Sequence, residues 1–420
     1  MDNLTHSLVG LASAKAGLER LSPYATSVCL VSANIADADF VTLFFGDRWT
    51  LLEHHRGITH SIVGTIAIGF LVPLVAFAIE RLIVTARGSL HYSPRPLGEG
   101  LRGEGLVAHK PSPEPSRSGR GSESRELSPR IRFRGLLIAS LIAAATHPLL
   151  DWTNNYGVRP LLPWSGRWLY GDLVFIVDPY IWLVLGGVVF LLTSNSKLKT
   201  LGWSVLGLGI TTFIGLAGRR SGPDGASLRI AFAVWIGGLV LLATLRAFGT
   251  QRVPVRATAI AALTLLVVYW GCLAYTHRVA FANALTVINQ MTEVSGERVI
   301  RVVAMPTVAT PFLWQSVAET DRAMYRFRIE IGGDRYDSSS TTGVNRYEKP
   351  TGQRAQLVST AELDRRTQAL LGFARFPIAR VDANNCVGQA LVQFADLRYT
   401  EPGASRGNFS VNIPVDCPAR

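Results

Sequence analysis

The chain has 420 residues, is 48% hydrophobic and carries a formal net charge of +12. Its mean hydropathy of +0.24 is too apolar for an average soluble enzyme and points to a membrane protein of two or three domains. The positive excess does not indicate nucleic acid, because ten Lys and Arg residues crowd into residues 85–134, a segment joining two apolar runs.

The first 46 residues read as two weaker hydrophobic segments split at Glu19-Arg20-Leu21-Ser22-Pro23, where Ser22-Pro23 is a stop and turn. His6 and Lys15 interrupt the first segment, so it is not read as a cleavable signal peptide. Six apolar runs follow, at 62–84, 135–150, 173–193, 201–218, 228–248 and 257–275, each close to the ~20 residues that cross a ~30 Å hydrocarbon core. Between the first two, residues 85–134 are rich in Pro, Gly, Ser and Arg and are expected to be a disordered cytoplasmic loop. Lys197, Lys199, Arg246, Arg252 and Arg256 then fall on the same inner side, while Arg219 and Arg220 dissent. Counting spans outward from that loop makes the last segment periplasmic.

Beyond the last run, residues 324–331 and 390–395 alternate apolar and polar side chains, with Gly332-Gly333-Asp334 as a turn and a helix near 360–373. Cys386 and Cys417 both lie in this part and can bridge in an oxidising compartment, whereas Cys29 and Cys272 read as small residues in membrane segments. The fold expected is mainly α, a polytopic helical membrane domain with a smaller β-rich C-terminal domain. Its divisions are 1–84 (N-terminal helices and first long span), 85–134 (basic loop), 135–276 (helical membrane domain) and 277–420 (β-rich extramembrane domain).

Against this apolar background the chemistry-bearing residues stand out. His6, His54, His55, His60 and His147, with Asp37, Asp39 and Asp151, lie in or at the edge of apolar sequence, where an unpaired imidazole or carboxylate is costly. His147 and Asp151 are four apart, so one helical face presents both to a divalent ion, although the pair serves equally as a salt bridge or cap and Pro148 can break the geometry. In His55-Arg56-Gly57-Ile58-Thr59-His60-Ser61, the glycine permits a sharp turn that lets His55 approach from a loop while His60 occupies the first turn of a helix. Arg56 suits a phosphate oxygen or, equally, a lipid headgroup. Asp37 and Asp39 can divide the work of binding metal and orienting a histidine, or simply cap a broken helix. Asp172 and Asp178, at the start of a later run, offer a further ligand or general acid, or helix caps. Trp164, Trp168, Tyr170, Tyr180 and Trp182 fit an interfacial aromatic belt.

The series Asp2-Asn3-Leu4-Thr5-His6, Asp37-Ala38-Asp39, His55-Arg56-Gly57-Ile58-Thr59-His60-Ser61 and His147-Pro148-Leu149-Leu150-Asp151 resembles the membrane-bound metal-dependent hydrolase family of bacterial inner membranes, some of whose members are described as regulated by the SOS repressor. The resemblance covers roughly residues 1–178 and departs from the family pattern at Ala36, where proline usually stands. A more distant likeness links that family to zinc-dependent phospholipase C and P1 nuclease. What the resemblance implies is a metal site of His6, Asp37, Asp39, His55, His60, His147 and Asp151. Asp39, Arg56 and Asp172 are the catalytic candidates, Arg56 and Asp172 by residue type and position. A divalent metal is the cofactor implied; the ligand set suits zinc, with manganese and iron also compatible. The expected function is hydrolysis of a phosphodiester or lipid-linked substrate at the membrane lipid boundary. The alternative is a metal-binding membrane scaffold or transporter without hydrolysis.

Overall fold

The computed structural model describes residues 1–90, 131–220, 226–248, 254–332, 343–382, 388–403 and 409–417. Most of the basic loop, Arg252, the Gly333-Asp334 turn and Cys386, and with it the expected Cys386–Cys417 bridge, lie outside the described residues.

Two short helices open the chain. α1 (Asn3–Lys15) is started by Asp2, whose carboxylate accepts from the Thr5 N–H at 3.0 Å. After a turn at 18–20 the chain reverses into α2 (Ala25–Ser32), as the Ser22-Pro23 reading expects. Gly10 lets the two approach, because a Cβ there would stand 3.0 Å from the Cys29 carbonyl oxygen and the Ala33 Cβ. A ten-residue 3-10 segment, Ile35–Phe44, follows; with α2 it forms an apolar pair bent by 49°, equivalent to a broken span or re-entrant loop. The chain then runs through α3 (Arg48–His54), whose first turn Asp47 caps at Trp49 N and Thr50 N, and a short 3-10 turn at Ile58–His60.

Five described helices are long and apolar enough to cross a membrane: α4 (Ile62–Leu90), α5 (Phe133–Trp152), α7 (Lys197–Arg220), α8 (Ala226–Ala247) and α9 (Val255–Ser295). The run at 173–193 differs from expectation. It is helical only from Pro179, as the 15-residue α6 (Pro179–Thr193). Asp178 accepts from the N–H groups of Tyr180 and Ile181 and from the Tyr269 hydroxyl, so it is a helix cap. α5 lies against α2 through small residues, with Cys29, Ala139 and Ala143 fully buried and the Ser32 and Ser140 hydroxyls 2.7 Å apart.

α9 has 41 residues and is about 60 Å long at 1.5 Å per residue, twice the hydrocarbon thickness. Its last turns therefore leave the membrane. There Ala280, Ala284, Val287 and Ile288 pack on Trp314, Phe327 and Ile329 of an antiparallel sheet ordered β1 (Val299–Thr307), β2 (Thr310–Thr320), β3 (Ala323–Glu330) and β4 (Asn345–Glu348). The single helix expected near 360–373 is two, α10 (Gln353–Ala361) and α11 (Arg365–Phe373), because Asp364 accepts from the Arg366 N–H and restarts the chain. They cover a second sheet of β5 (Pro377–Asp382), β6 (Gln389–Asp396) and β7 (Ser410–Asp416). The molecule is mainly helical with a β-containing C-terminal part, as the sequence indicates.

Candidate metal centre

The first half of α1, the 3-10 segment after α2, the turn before α4 and the end of α5 converge on a buried polar cluster. His147 and Asp151 reach it from α5, which continues unbroken through Pro148 and so keeps both on one face. His60 reaches it as the last residue of the turn before α4, not from the helix itself. Asp37 comes from the bent 3-10 segment. His60, His147 and Asp151 are fully buried.

The donor atoms have the spacing of a coordination shell. The Nε2 atoms of His60 and His147 are 3.1 Å apart. Asp37 Oδ1 lies 3.3 Å from the first and 3.5 Å from the second. Asp151 Oδ2 lies 3.4 and 3.5 Å from the same two atoms. Ligands held about 2.0–2.1 Å from a tetrahedral ion stand about 3.3–3.4 Å from one another. The four residues Asp37, His60, His147 and Asp151 therefore form a group that could hold a metal ion.

The surrounding hydrogen bonds fix which atoms are free to coordinate. His147 Nδ1 donates to the Ala33 carbonyl at 2.7 Å, which puts the proton there and leaves the Nε2 lone pair for the centre. His60 Nδ1 stands 3.0 Å from Thr59 Oγ1 and 3.5 Å from Asp39 Oδ2, so its Nε2 is likewise turned inward. Two lone pairs facing each other at 3.1 Å, flanked by two carboxylate oxygens, call for a cation or a proton between them.

A second group, Asp37, Asp39 and His55, adjoins the first and shares Asp37 with it. His55 Nδ1 is 3.0 Å from Asp39 Oδ1. The other Asp39 oxygen accepts from the Arg56 backbone N–H at 2.9 Å, so Asp39 serves both histidine-bearing turns. This group is nearer the surface: the His55 side chain is 12% exposed and Asp37 9%, against 0% for His60 and His147.

His6 stacks on His147 with ring centroids 3.8 Å apart, and its Nε2 stands 3.4 Å from Asp151 Oδ1. Neither of its buried ring nitrogens has a hydrogen-bond partner, which leaves a ligand atom available beside the cluster. The amino group of Met1 also contacts Asp151 Oδ1. His54 hydrogen-bonds the Thr50 carbonyl at the surface and lies outside both groups.

Arg56 is turned onto the cluster's own carboxylate. Its guanidinium pairs with Asp151 Oδ1 at 2.9 Å and donates to Asn154 Oδ1 at 3.1 Å and the Gly157 carbonyl at 3.0 Å. The residue adopts a left-handed φ of 53°, and Gly57 beside it has no room for a side chain, since a Cβ would lie 2.5 Å from the His54 carbonyl oxygen. Asp172 is not part of either group. It forms an ion pair with Arg375 at 2.8 Å and ties its loop to the C-terminal region.

That region contributes Phe373, Asp396 and Arg398 to the support of the centre, three residues that sequence reasoning did not find; they act on Asn155 and Tyr156, which follow Asp151 and were expected at the mouth of the site. Tyr156 lies under the Arg56 guanidinium at 4.5 Å and against Phe373 at 4.6 Å, and burial pushes its hydroxyl up to about 12, so it stays neutral. Arg398, buried with Asp396, donates to the Asn155 carbonyl at 2.8 Å. Nothing in the spacing of residues some 240 positions away signals these contacts.

Neither a curated protein nor a solved structure matches the chain. A family model described as "YdjM inner membrane protein" matches residues 1–221, more than half of the chain and the part that contains every candidate ligand. The chain belongs to the YdjM inner membrane protein family.

Proposed function

We propose that the protein is a membrane-bound metal-dependent hydrolase acting on a phosphodiester or lipid-linked substrate. The observation that carries this reading is the convergence of four buried donor atoms at coordination spacing, with both histidine Nδ1 atoms already engaged elsewhere. Asp37, His60, His147 and Asp151 would hold a divalent ion, whose chemistry when bound would be to lower the pKa of water from about 15.7 toward about 7. Asp39 holds His55 and His60 in the orientation that presents them. Arg56 positions Asp151. The chemistry of two imidazoles and two carboxylates suits zinc, and His6, Asp39 and His55 are the candidates for enlarging the site beyond one ion. The partly exposed Asp37–Asp39–His55 side is the direction from which substrate would arrive.

One observation favours a second reading. Four protein ligands can close a tetrahedral shell, which is the habit of structural sites, and a metal-binding scaffold or transporter would then hold the ion without hydrolysis. Metal content of detergent-purified protein decides the first point: wild type should retain divalent metal that the His60→Ala/His147→Ala variant loses. Absence of metal from both, with chelators excluded, ends the hydrolase reading. Metal without turnover of bis(p-nitrophenyl) phosphate or of phosphatidylglycerol vesicles leaves the scaffold.

We further assign the centre and the C-terminal domain to the periplasmic face. Supporting this, Lys197, Lys199, Arg246 and Arg256 lie at the opposite ends of their helices, where Arg246 and Arg256 donate to the Ser194 and Ala16 carbonyls. A reporter fused to the C-terminus should be active only if exported.

A further inference from the structure

We propose that residues 35–45 are an interfacial lipid-binding element that passes an amphiphile from the membrane surface sideways into the metal centre. This deepens the hydrolase reading and rests on it for what happens after delivery. The segment is two-faced. Asp37 and Asp39 turn inward to His60, His147 and His55, while Phe40, Val41 and Leu43 face outward and Phe44 and Phe45 are 85% and 86% exposed. Ten residues in consecutive 3-10 turns are unusually many, and such stretches mark functional distortion.

Lipid is the occupant the surroundings select. With α2 this segment makes a bent apolar pair of membrane character, and it packs against α4, whose Ile62, Val63 and Ile66 face outward at the same end. Lipid that covers those side chains is therefore at the edge of the element. Between Ile35 and Gly46 the only charged residues are the two inward-turned aspartates, so no ionic contact with a protein partner is prepared. An exposed aromatic and aliphatic rim of this kind lies at the boundary of headgroups and acyl chains.

The rim is also mechanically joined to the site. The Phe40 ring lies 4.7 Å from the His55 ring, and His55 is the most exposed of the candidate ligands. An acyl chain lying along Phe40 and Phe44 places its polar end beside the Asp37–Asp39–His55 group. An apolar cavity of about 370 Å³ elsewhere in the bundle is not an alternative route: Leu4 and Leu8 line it from the face of α1 opposite His6.

The test uses the full chain with Cys272, the exposed free cysteine among the described residues, replaced (Cys272→Ser), carrying Phe44→Cys or Phe45→Cys labelled with an environment-sensitive fluorophore. After reconstitution into phosphatidylcholine and phosphatidylglycerol vesicles, emission is quenched by acyl-chain spin-labelled lipid or by aqueous iodide. Leu363→Cys, between α10 and α11 and 76% exposed, serves as the water-facing reference. Lipid quenching at 44 and 45 about twofold or more above the reference, with weaker iodide quenching, is expected. Iodide quenching equal to the reference at both positions, with no lipid effect, overturns the proposal. Lipid quenching without any hydrolysis would remove the hydrolase reading alone, whereas turnover of a soluble phosphodiester with iodide-only quenching would remove this one alone.

Discussion

At His147 a single hydrogen bond determines what the ring can do. The Ala33 carbonyl takes the Nδ1 proton, so in the neutral ring Nε2 faces His60 as a lone pair, and that tautomer is set by the end of α2 before any ligand arrives. The same logic makes Gly57 a site residue although it has no side chain. It lets His55 and His60 leave one tight turn toward a common centre, and the space a Cβ needs is taken by the His54 carbonyl, which is backbone and cannot step aside. Gly57→Ala should therefore displace Arg56 and His60 together, lowering stability by about 1–3 kcal/mol and metal affinity by about 10–100-fold. Thermal unfolding with and without added zinc separates the two effects. Unchanged affinity would show that the turn is not what aligns the histidines.

Elements were legible in the sequence where period and length agree. α4, α5, α7 and α8 follow long apolar runs, and the Ser22-Pro23 turn separates α1 from α2. The 173–193 run was misleading because residues 173–177 are apolar for another reason: Val174 is buried in the core beneath a loop, and helix begins only where Asp178 can cap it. The 360–373 helix divides in the same way at Asp364. At the end of α9, Glu297 joins the helix to the sheet. Burial alone would raise its pKa, but hydrogen bonds from Thr320, Arg346 and Tyr325 hold it below the ordinary carboxylate value. A folded pKa below the unfolded one means the stabilisation is complete above about 4.5 and is lost as pH falls through the folded value. Denaturant unfolding in detergent should accordingly show stability falling at acid pH. Glu297→Gln should be less stable at neutral pH and show a shallower acid slope. A variant with the wild-type slope would mean that Glu297 does not carry this linkage.

For the molecule as a whole, the clustering of His and Asp donors was legible but its support was not. Every member of the two donor groups lies before residue 152, where a polar residue among apolar ones is conspicuous, while the groups that brace them come from a domain whose Arg and Phe residues look like those of any soluble fold. The bracing is continuous: Arg398 and Phe373 hold Asn155 and Tyr156, Tyr156 lies under Arg56, and Arg56 pairs with Asp151. Arg398 and Asp396 are both fully buried at the side chain, so Arg398→Ala leaves an uncompensated carboxylate and should cost about 3–5 kcal/mol. If the domain merely sits on the membrane part, that loss stays local. If it braces the centre, zinc affinity falls as well, although residue 398 touches no ligand. An Asp396→Asn/Arg398→Met variant separates the two, since it removes the buried charge penalty yet still deletes the bond to the Asn155 carbonyl. Recovered stability with weakened zinc binding is the expected result, and full recovery of both would confine the C-terminal domain to a structural role.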